Sequence, residues 1–269
     1  MSDGSPVQNC GSSPVDHHPS PTKRPREDLD DERSTQEDDQ EYRESGTPPP
    51  SASETTSDAA PQDLGVAEPE INLVRLPAGP FCPIPGPAKD LPRKGRVVCL
   101  DVETTGFTAT DSVVEIGAVE LIDGVRTGSL FQTYLLPRAP IHPNAKVVHG
   151  LDEQFLKEIG ALPPRVAVAS FVEWVGRSPC VSHNASFDSR MLNQELAAAG
   201  YQHSNDAPTT PVFCTMASFR QLHPDLSCSL DSVAQFFNFS NHFKRMTHSA
   251  LTDAEMCAKC FQRILQEAS

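Results

Sequence analysis

The chain has 269 residues and a formal charge of −14, and this charge is unevenly distributed. Residues 1–70 hold 17 acidic and 5 basic residues, whereas residues 71–269 hold 19 and 17. No apolar run approaches the ~20 residues that span a bilayer, and the first residues lack the basic and apolar stretches of a signal peptide. We therefore expect an intracellular protein, nuclear or cytoplasmic, that is neither secreted nor bound to a membrane.

The first 92 residues contain 16 of the 25 prolines and few large apolar side chains. Such a segment cannot bury enough surface to offset the entropy of its backbone. We predict a disordered, acidic and Pro-rich tail and linker over residues 1–92, followed by one folded domain over residues 93–269. Within the tail, Thr22–Arg26 is a short basic cluster. A nuclear import signal and a chance cluster in a solvated tail both remain open for it.

The predicted domain begins with three strands. The apolar run over residues 96–100 is typical of a strand that is buried on both faces. A β-rich run follows over residues 113–122, and the turn signal Asp123-Gly124 precedes a third strand over residues 130–136. Short connections between consecutive strands predict an antiparallel meander.

After residue 163 the apolar period becomes helical, with short strands between the helices. Helices are predicted over residues 166–175, 185–199, 216–222, 230–237 and 250–266, and short strands over residues 180–182 and 212–214. Strands followed by alternating helices and strands favour an α/β fold with a mixed sheet and helices on its faces.

Most of the eight cysteines stand singly, but Cys257 and Cys260 form a Cys-x-x-Cys pair. In a chain that is not exported the thiols are expected to stay reduced, so a disulfide framework is not expected. The pair could indicate zinc or redox chemistry. It has no second pair and lies in a helical pattern, so we interpret these two residues as helix-packing cysteines.

Asp101 and Glu103 lie at the end of the first predicted strand. Residues two apart project from the same face of a strand, so the two carboxylates are predicted to lie side by side. They repel each other unless a divalent cation binds them, and Mg²⁺ and Mn²⁺ prefer such oxygen ligands. A solvated acidic strand end is the alternative on this spacing alone.

Two later segments carry further candidate residues. Asp188 falls in the first turn of a predicted helix, where the positive end of the helix dipole favours a carboxylate. His248 and Asp253 are five residues apart, which would separate them by about 140° on one helix. They converge on one site only if His248 precedes the helix and Asp253 lies in its first turns. That arrangement suits a mobile general base beside a fixed metal ligand.

Taken together, three segments resemble the motifs of the DnaQ-like (DEDDh) 3′→5′ exonuclease family: residues 100–106, residues 183–188 and His248-x4-Asp253. Residues 114–120, 148–151 and 229–232 also match. The resemblance covers residues 95–265 and is strongest for the epsilon, or proofreading, subunit of bacterial DNA polymerase III. It implies a ribonuclease-H-like fold, in which three antiparallel strands are followed by parallel strands and helices flank the sheet.

The resemblance also implies a chemistry. Two divalent ions, Mg²⁺ or Mn²⁺, would act on the scissile phosphate. Asp101 would bridge both ions, Glu103 and Asp253 would complete the ligands of one, and Asp188 would bind the other. His248 would take the proton from the attacking water, because the subfamily that uses tyrosine places it at position 249, which here is Ser249.

Five residues are implied as substrate contacts, namely Thr104, Phe107, His149, Asn184 and Phe187. Core packing accounts equally well for Phe187. Position 144 is acidic in the epsilon pattern and contacts the 3′-hydroxyl there, but this chain has Asn144.

The function that we expect is removal of nucleotides from the 3′ ends of nucleic acid, with single-stranded DNA as the substrate and a repair or proofreading role. Exoribonuclease activity on RNA is the main alternative, and an inactive binding module is a second. A polymerase or repair partner is possible. The chain ends at Ser269 soon after the last predicted helix, which favours a standalone enzyme unless the tail tethers it.

Overall fold

The computed structural model describes residues 80–201, 209–239 and 247–269. Residues 1–79 of the tail predicted over residues 1–92, with the basic cluster Thr22–Arg26, lie outside the described residues.

Within the described ranges, six strands form one mixed sheet. They are β1 (Phe81–Ile84), β2 (Arg96–Thr104), β3 (Val113–Ile122), β4 (Val125–Tyr134), β5 (Cys180–Ser182) and β6 (Thr210–Cys214). Their order across the sheet is β1-β6-β5-β2-β3-β4. β2, β3 and β4 pair antiparallel, whereas β2-β5, β5-β6 and β6-β1 pair parallel. The predicted order of three antiparallel strands followed by parallel strands is confirmed.

Seven α-helices accompany the sheet in the described ranges. They are α1 (Pro143–His149), α2 (Glu153–Glu158), α3 (Pro164–Val175), α4 (Ala185–Ala198), α5 (Thr215–Leu222), α6 (Leu230–Phe236) and α7 (Ala250–Glu267). α3 and α4 pack on one face of the sheet, and α5, α6 and α7 pack on the other. The sheet is therefore covered on both faces, which explains why its central strands are apolar almost throughout.

The central strand β2 divides its side chains between these two layers. Val98 and Leu100 lie in the core on the α3–α4 side, whereas Val97 and Cys99 lie in the core on the α7 side. Because side chains alternate along a strand, Asp101 and Glu103 also point toward the α7 side. The candidate carboxylates thus project from the face that α7 covers.

The folded part of the chain begins earlier than residue 92, where the sequence predicted the end of the linker. Phe81 is 2% exposed and stacks on Phe171, and both backbone groups of Phe81 hydrogen-bond to the Asn193 amide. The sequence did not predict this strand, because the prolines of the segment are untypical of strands. Pro83 is tolerated because β1 is an edge strand, where a missing N–H breaks no ladder on the outer side.

The described cysteines are free thiols, and Cys257 and Cys260 are fully buried in α7 against the sheet. Their interpretation as helix-packing residues agrees with this position. Among the described helices, none combines the length and the apolar character needed to cross a bilayer.

Candidate active site

Asp101 and Glu103 lie at the carboxyl end of β2, where the strand leaves the core. Glu103 is buried and Asp101 is half-buried. In the β2–β3 ladder Asp101 lies opposite Gly117 and Glu103 opposite Glu115, and the register shifts immediately after Glu103. Such irregularities re-aim side chains at the ends of strands and are common beside active sites.

The amino terminus of α7 packs directly over this strand end. A Cβ atom built on Gly117 would lie 2.1 Å from the backbone nitrogen of Leu251, so only glycine permits this approach. The close contact brings the first turn of α7, with Asp253, next to the β2 carboxylates. A spacing in the sequence could not show this, because it depends on the absence of a side chain on a neighbouring strand.

His248 precedes α7 and Asp253 lies in the first turn of the helix, which is the arrangement that the sequence predicted. Nδ1 of His248 is 3.1 Å from Oδ2 of Asp253. The backbone N–H of His248 donates to the carbonyl of Val148 at 2.8 Å. Ligand atoms of Glu103, His248 and Asp253 all lie within 4.8 Å of one another. The structure therefore brings three of the predicted site residues together.

Asp188 lies at the start of α4 and is 2% exposed. The Ser182 hydroxyl donates to its Oδ2 at 2.6 Å, and the backbone N–H of Val102 donates to the same carboxylate. Burial raises the pKa of Asp188 to about 7, and these hydrogen bonds oppose the rise only in part. Because Val102 stands between Asp101 and Glu103, Asp188 completes the acidic end of β2 from the side of β5.

The loop after β2 is held in shape by its own polar groups. The Thr104 hydroxyl donates to the Gly106 carbonyl at 2.7 Å, and Asp111 accepts hydrogen bonds from the Thr105 and Thr108 hydroxyls. These bonds lower the pKa of Asp111 although burial opposes them. These hydrogen bonds therefore fix the loop on both sides of Phe107, the residue that follows Gly106.

Phe107 is 70% exposed at the tip of this loop, and its ring lies 5.9 Å from that of Phe187. The Arg190 guanidinium lies over the Phe187 ring and donates to the carbonyls of Phe107 and Thr108. A cavity of about 210 Å³ adjoins Phe107 and is also lined by Asn144. An exposed aromatic beside a cavity at the strand end is suited to contact with a base.

His149 and Asn184 are two other residues that were predicted to contact the substrate. The Leu151 N–H donates to Nδ1 of His149, so Nε2 of this ring carries the proton and donates to the Thr104 carbonyl at 3.1 Å. Burial lowers the pKa of His149. Both ring nitrogens of His149 are therefore occupied by hydrogen bonds to the backbone. Asn184 is exposed at the start of α4 in a left-handed conformation, which asparagine tolerates well.

Sequence reasoning assigned no role to Ser182 or Glu115. Ser182 is buried at the end of β5 and contacts Asp188, whereas Glu115 is buried in β3 opposite Glu103. A signal existed only for Glu115, as an acidic residue inside the apolar run of β3. The hydroxyl at position 182 gave none, because its contact depends on how α4 follows β5.

The donor set fits a hard divalent cation. Carboxylate oxygens supply it from β2, α4 and α7, and one imidazole stands beside them. Oxygen-rich sites of this type suit Mg²⁺ or Mn²⁺ rather than a soft metal. Buried carboxylates that crowd together also lower their electrostatic cost when they share a cation.

Comparison with known proteins identifies the family of the chain. The family model described as Exonuclease, of the RNase T type, matches residues 98–261. The DNA polymerase III subunit epsilon of Buchnera aphidicola subsp. Baizongia pistaciae is 33% identical over 174 residues, which cover 62% of this chain and 69% of that protein. The epsilon subunit of Escherichia coli strain K12 is 32% identical over 177 residues, with 62% and 70% covered.

Solved structures share the fold at low sequence identity. The nuclease domain of 3′hExo, a DEDDh family member bound to rAMP, has a TM-score of 0.54 at 14% identity and covers 65% of this chain and 93% of that one. E. coli Exonuclease I with a dT13 oligonucleotide has a TM-score of 0.55 at 15% identity, with 64% and 41% covered. The zinc-bound form of its complex with single-stranded DNA scores 0.52 at 15% identity, with 65% and 42% covered.

The predicted family is thus confirmed by a model that matches more than half of the chain and by epsilon relatives above 30% identity. Nucleases of this family act with divalent metal ions, in keeping with the donor set at the end of β2. The chain belongs to the RNase T-type exonuclease family and is a DnaQ-like 3′→5′ exonuclease related to the epsilon subunits of bacterial DNA polymerase III.

Proposed function

We propose that this exonuclease removes nucleoside 5′-monophosphates one at a time from the 3′ ends of DNA, in repair or proofreading. The observation that carries the proposal is the joint position of Glu103, His248 and Asp253 at the end of β2. The names of the relatives support DNA as the substrate, because the epsilon proteins are subunits of a DNA polymerase.

In this proposal four carboxylates, those of Asp101, Glu103, Asp188 and Asp253, hold two divalent ions, Mg²⁺ or Mn²⁺. They come from β2, α4 and α7, so each element contributes to the same acidic strand end. When bound, such ions activate a water molecule and stabilise the leaving 3′ oxygen. The chain's part is to hold these carboxylates in place without the ions. The buried hydrogen bond from the Ser182 hydroxyl does this for Asp188.

His248 is the proposed general base. In the neutral ring, Nδ1–H donates to Asp253, which leaves Nε2 as the basic nitrogen. The His248 side chain is 41% exposed, so a substrate phosphate and its attacking water can reach it. Histidine is the side chain most often used as a general base, which suits the transfer of this proton.

The substrate contacts remain proposals. Thr104 and Asn184 would hold the terminal nucleotide, and Phe107 and Phe187 would contact the bases from the loop and from α4. His149 would contribute mainly by fixing the Thr104 carbonyl, because only its ring carbons remain for a direct contact. The cavity beside Phe107 supports a base-binding role for that residue.

The setting of the enzyme is also proposed. A DNA 3′ end as substrate fits an intracellular enzyme, in the nucleus or the cytoplasm. A polymerase or repair protein is the expected partner class, supported by the epsilon relatives. Membrane association is not part of this proposal.

The proposal is tested with 3′-labelled single-stranded and mismatched duplex DNA in Mg²⁺, beside RNA of matched sequence. We expect stepwise release of 5′-mononucleotides from DNA. Replacement of both Asp101→Ala and Glu103→Ala should lower the rate by at least about 10³-fold, because both belong to the metal site. The control is Glu153→Ala with Glu158→Ala, an exposed acidic pair on α2.

The outcomes separate the alternatives. Internal cuts would exclude an exonuclease, and a strong preference for RNA would replace DNA with RNA as the substrate. Activity that survives the double replacement at positions 101 and 103 would move the catalytic site elsewhere. A wild-type chain that binds DNA but releases no nucleotide would favour the inactive binding module.

A further inference from the structure

Glu115 is a buried acidic residue that the proposed chemistry does not use. It is 1% exposed in β3 and lies directly opposite Glu103 in the ladder between β2 and β3. Like charges at facing positions of two strands destabilise the sheet, and burial adds a desolvation cost. A carboxylate in this position needs specific partners, and its partners indicate what it does.

Three donors, from Gln132, Ser249 and Ala250, converge on the Glu115 carboxylate beside the Tyr134 hydroxyl, which also hydrogen-bonds to it. The Gln132 side-chain amide donates to Oε1 at 2.8 Å and the Ser249 hydroxyl donates to Oε1 at 3.1 Å. The backbone N–H of Ala250 donates to Oε2 at 3.2 Å. Two of the three donors therefore belong to the start of α7, the helix that carries Asp253.

Glu115 replaces the usual cap of α7. Ser249 is the N-cap residue, but its side chain makes no capping hydrogen bond within the helix. The acceptor is supplied instead from β3, by a negative charge at the positive end of the helix dipole. A cap from a neighbouring strand fixes the helix end to the sheet, which a local cap cannot do.

The fixed segment is the one that the proposed site depends on. Ser249 directly follows His248, and the Asp253 N–H donates to the Ser249 carbonyl at 2.9 Å in the first turn. Two residues from Glu115, Gly117 removes the side chain that would push α7 away. β3 thus sets the position of the helix start in two ways.

We propose that Glu115 is a positioning residue of the nuclease site, which holds the His248–Asp253 segment in the place where it binds metal. Glu115 itself touches neither substrate nor metal in this role. The inference rests on the proposed assignment of His248 and Asp253. The competing account is a residue that stabilises the fold alone.

The test is Glu115→Gln in the full chain. The amide keeps one acceptor oxygen but brings a donor toward the N–H and O–H groups of α7, so at least one of the three hydrogen bonds is lost. We expect kcat to fall roughly ten- to hundredfold, as misplacement of a catalytic group by about 1 Å does, while KM changes less than about threefold.

The second readout needs no catalysis. Mn²⁺ that binds only the folded protein raises its Tm. We expect this rise in the wild-type chain, and we expect Glu115→Gln to lose most of it. Glu120→Gln is the matched control, because Glu120 is a carboxylate of the same strand that bonds to Arg96 and Thr127 at the end away from the site. The control should keep both the Mn²⁺ response and kcat.

Ser249→Ala gives a milder variant that decides the question if Glu115→Gln does not fold. It removes one donor to Glu115, so kcat and the Mn²⁺ response should fall in the same direction by a smaller factor. In the double variant the two effects should combine to less than their product, because the residues act through one hydrogen bond.

Three results would overturn the inference. One is wild-type kcat and Mn²⁺ response in Glu115→Gln with only a lower Tm, and another is an equal loss in Glu120→Gln. The third is a double variant whose loss equals the product of the two single losses. A wild-type chain that releases no nucleotide would instead count against the proposed function.

Discussion

Asp188 is the proposed metal ligand through which the site would depend on both pH and metal. Burial raises its pKa to about 7, although Ser182 and backbone N–H groups donate to the carboxylate. A raised pKa means that the folded protein holds this proton more tightly than the unfolded chain does. Its contribution to stability is full below the unfolded pKa of about 3.9 and is lost as the pH rises through about 7.

We therefore expect Asp188→Asn to stabilise the metal-free protein at pH 8 and to change it little at pH 4. The amide cannot ionise, so it removes the cost of a buried charge. A shift of this size predicts a rise in Tm at pH 8 of about 5 °C or more. Thermal denaturation in a chelator measures it. Equal changes at the two pH values would contradict the assignment.

The same replacement should remove most of the Mn²⁺-dependent gain in Tm, because a neutral amide is a weaker ligand than a carboxylate. The wild-type chain should show the opposite pattern, with its largest gain from Mn²⁺ at high pH. The comparison uses one protein pair and needs no nucleic acid.

At the scale of elements, the contact between α7 and β3 fixes the position of the start of α7, and so of Asp253, relative to the β2 carboxylates. Gly117 faces Asp101 across the ladder, and a Cβ atom there would lie 2.1 Å from the Leu251 nitrogen. Packed backbone atoms cannot move aside one at a time, so a side chain at position 117 must displace the whole first turn of α7.

Gly117→Ala is expected to lower kcat more than tenfold and to reduce stability by about 1–3 kcal/mol, the usual cost of overpacking. The activity and the urea midpoint are measured on the same sample. Gly86→Ala is the control, since a Cβ atom at Gly86 has its nearest contact at an ordinary 3.6 Å. Unchanged activity in Gly117→Ala would mean that α7 does not need this approach.

Much of the fold could be predicted from residue patterns, because the long elements bury one regular stripe or a continuous apolar run. β3 matches its predicted bounds and α7 differs by one residue, and β5 also matches although it has only three residues. The sequence missed β1, α1 and α2, which are short and have too few residues to show a period. Prolines in and around β1 hid that strand further.

The site divides in the same way. Asp101, Glu103, Asp188, His248 and Asp253 were predicted as site residues because their three segments together resemble the motifs of the exonuclease family, whereas each position alone left an ordinary structural role open. Glu115 could not be predicted, because Ser249 and Ala250 lie 134 and 135 residues away along the chain. Ser182 could not, because its contact with Asp188 depends on how α4 follows β5. The contact between His149 and the Thr104 carbonyl could not be predicted either, because these residues lie 45 positions apart and meet only in the fold.

At the scale of the whole molecule, β1 closes the parallel edge of the sheet and extends the domain upstream of residue 93. Phe81 is 2% exposed and shares a core with α3 and α4. A residue so placed contributes to global stability, whereas a predicted linker residue would contribute nothing.

Phe81→Ala should therefore destabilise the protein by about 3–5 kcal/mol, as a truncated core phenylalanine does. Phe107→Ala is the matched control, because Phe107 is 70% exposed. It should leave the urea midpoint within about 0.5 kcal/mol of wild type and act on KM for the oligonucleotide instead. If the Phe81 variant unfolds like wild type, β1 does not belong to the cooperative unit.

The docking of α7 on β3 also determines when the enzyme becomes active during synthesis. Asp101 and Glu103 leave the ribosome early, but Asp253 lies on α7, the last helix in the described chain. Contacts so distant in sequence form late, because a long loop must close first. A nascent chain that ends before α7 therefore lacks Asp253 and cannot complete the proposed nuclease centre. We expect the growing polypeptide to be harmless to nearby nucleic acid until synthesis has passed this helix.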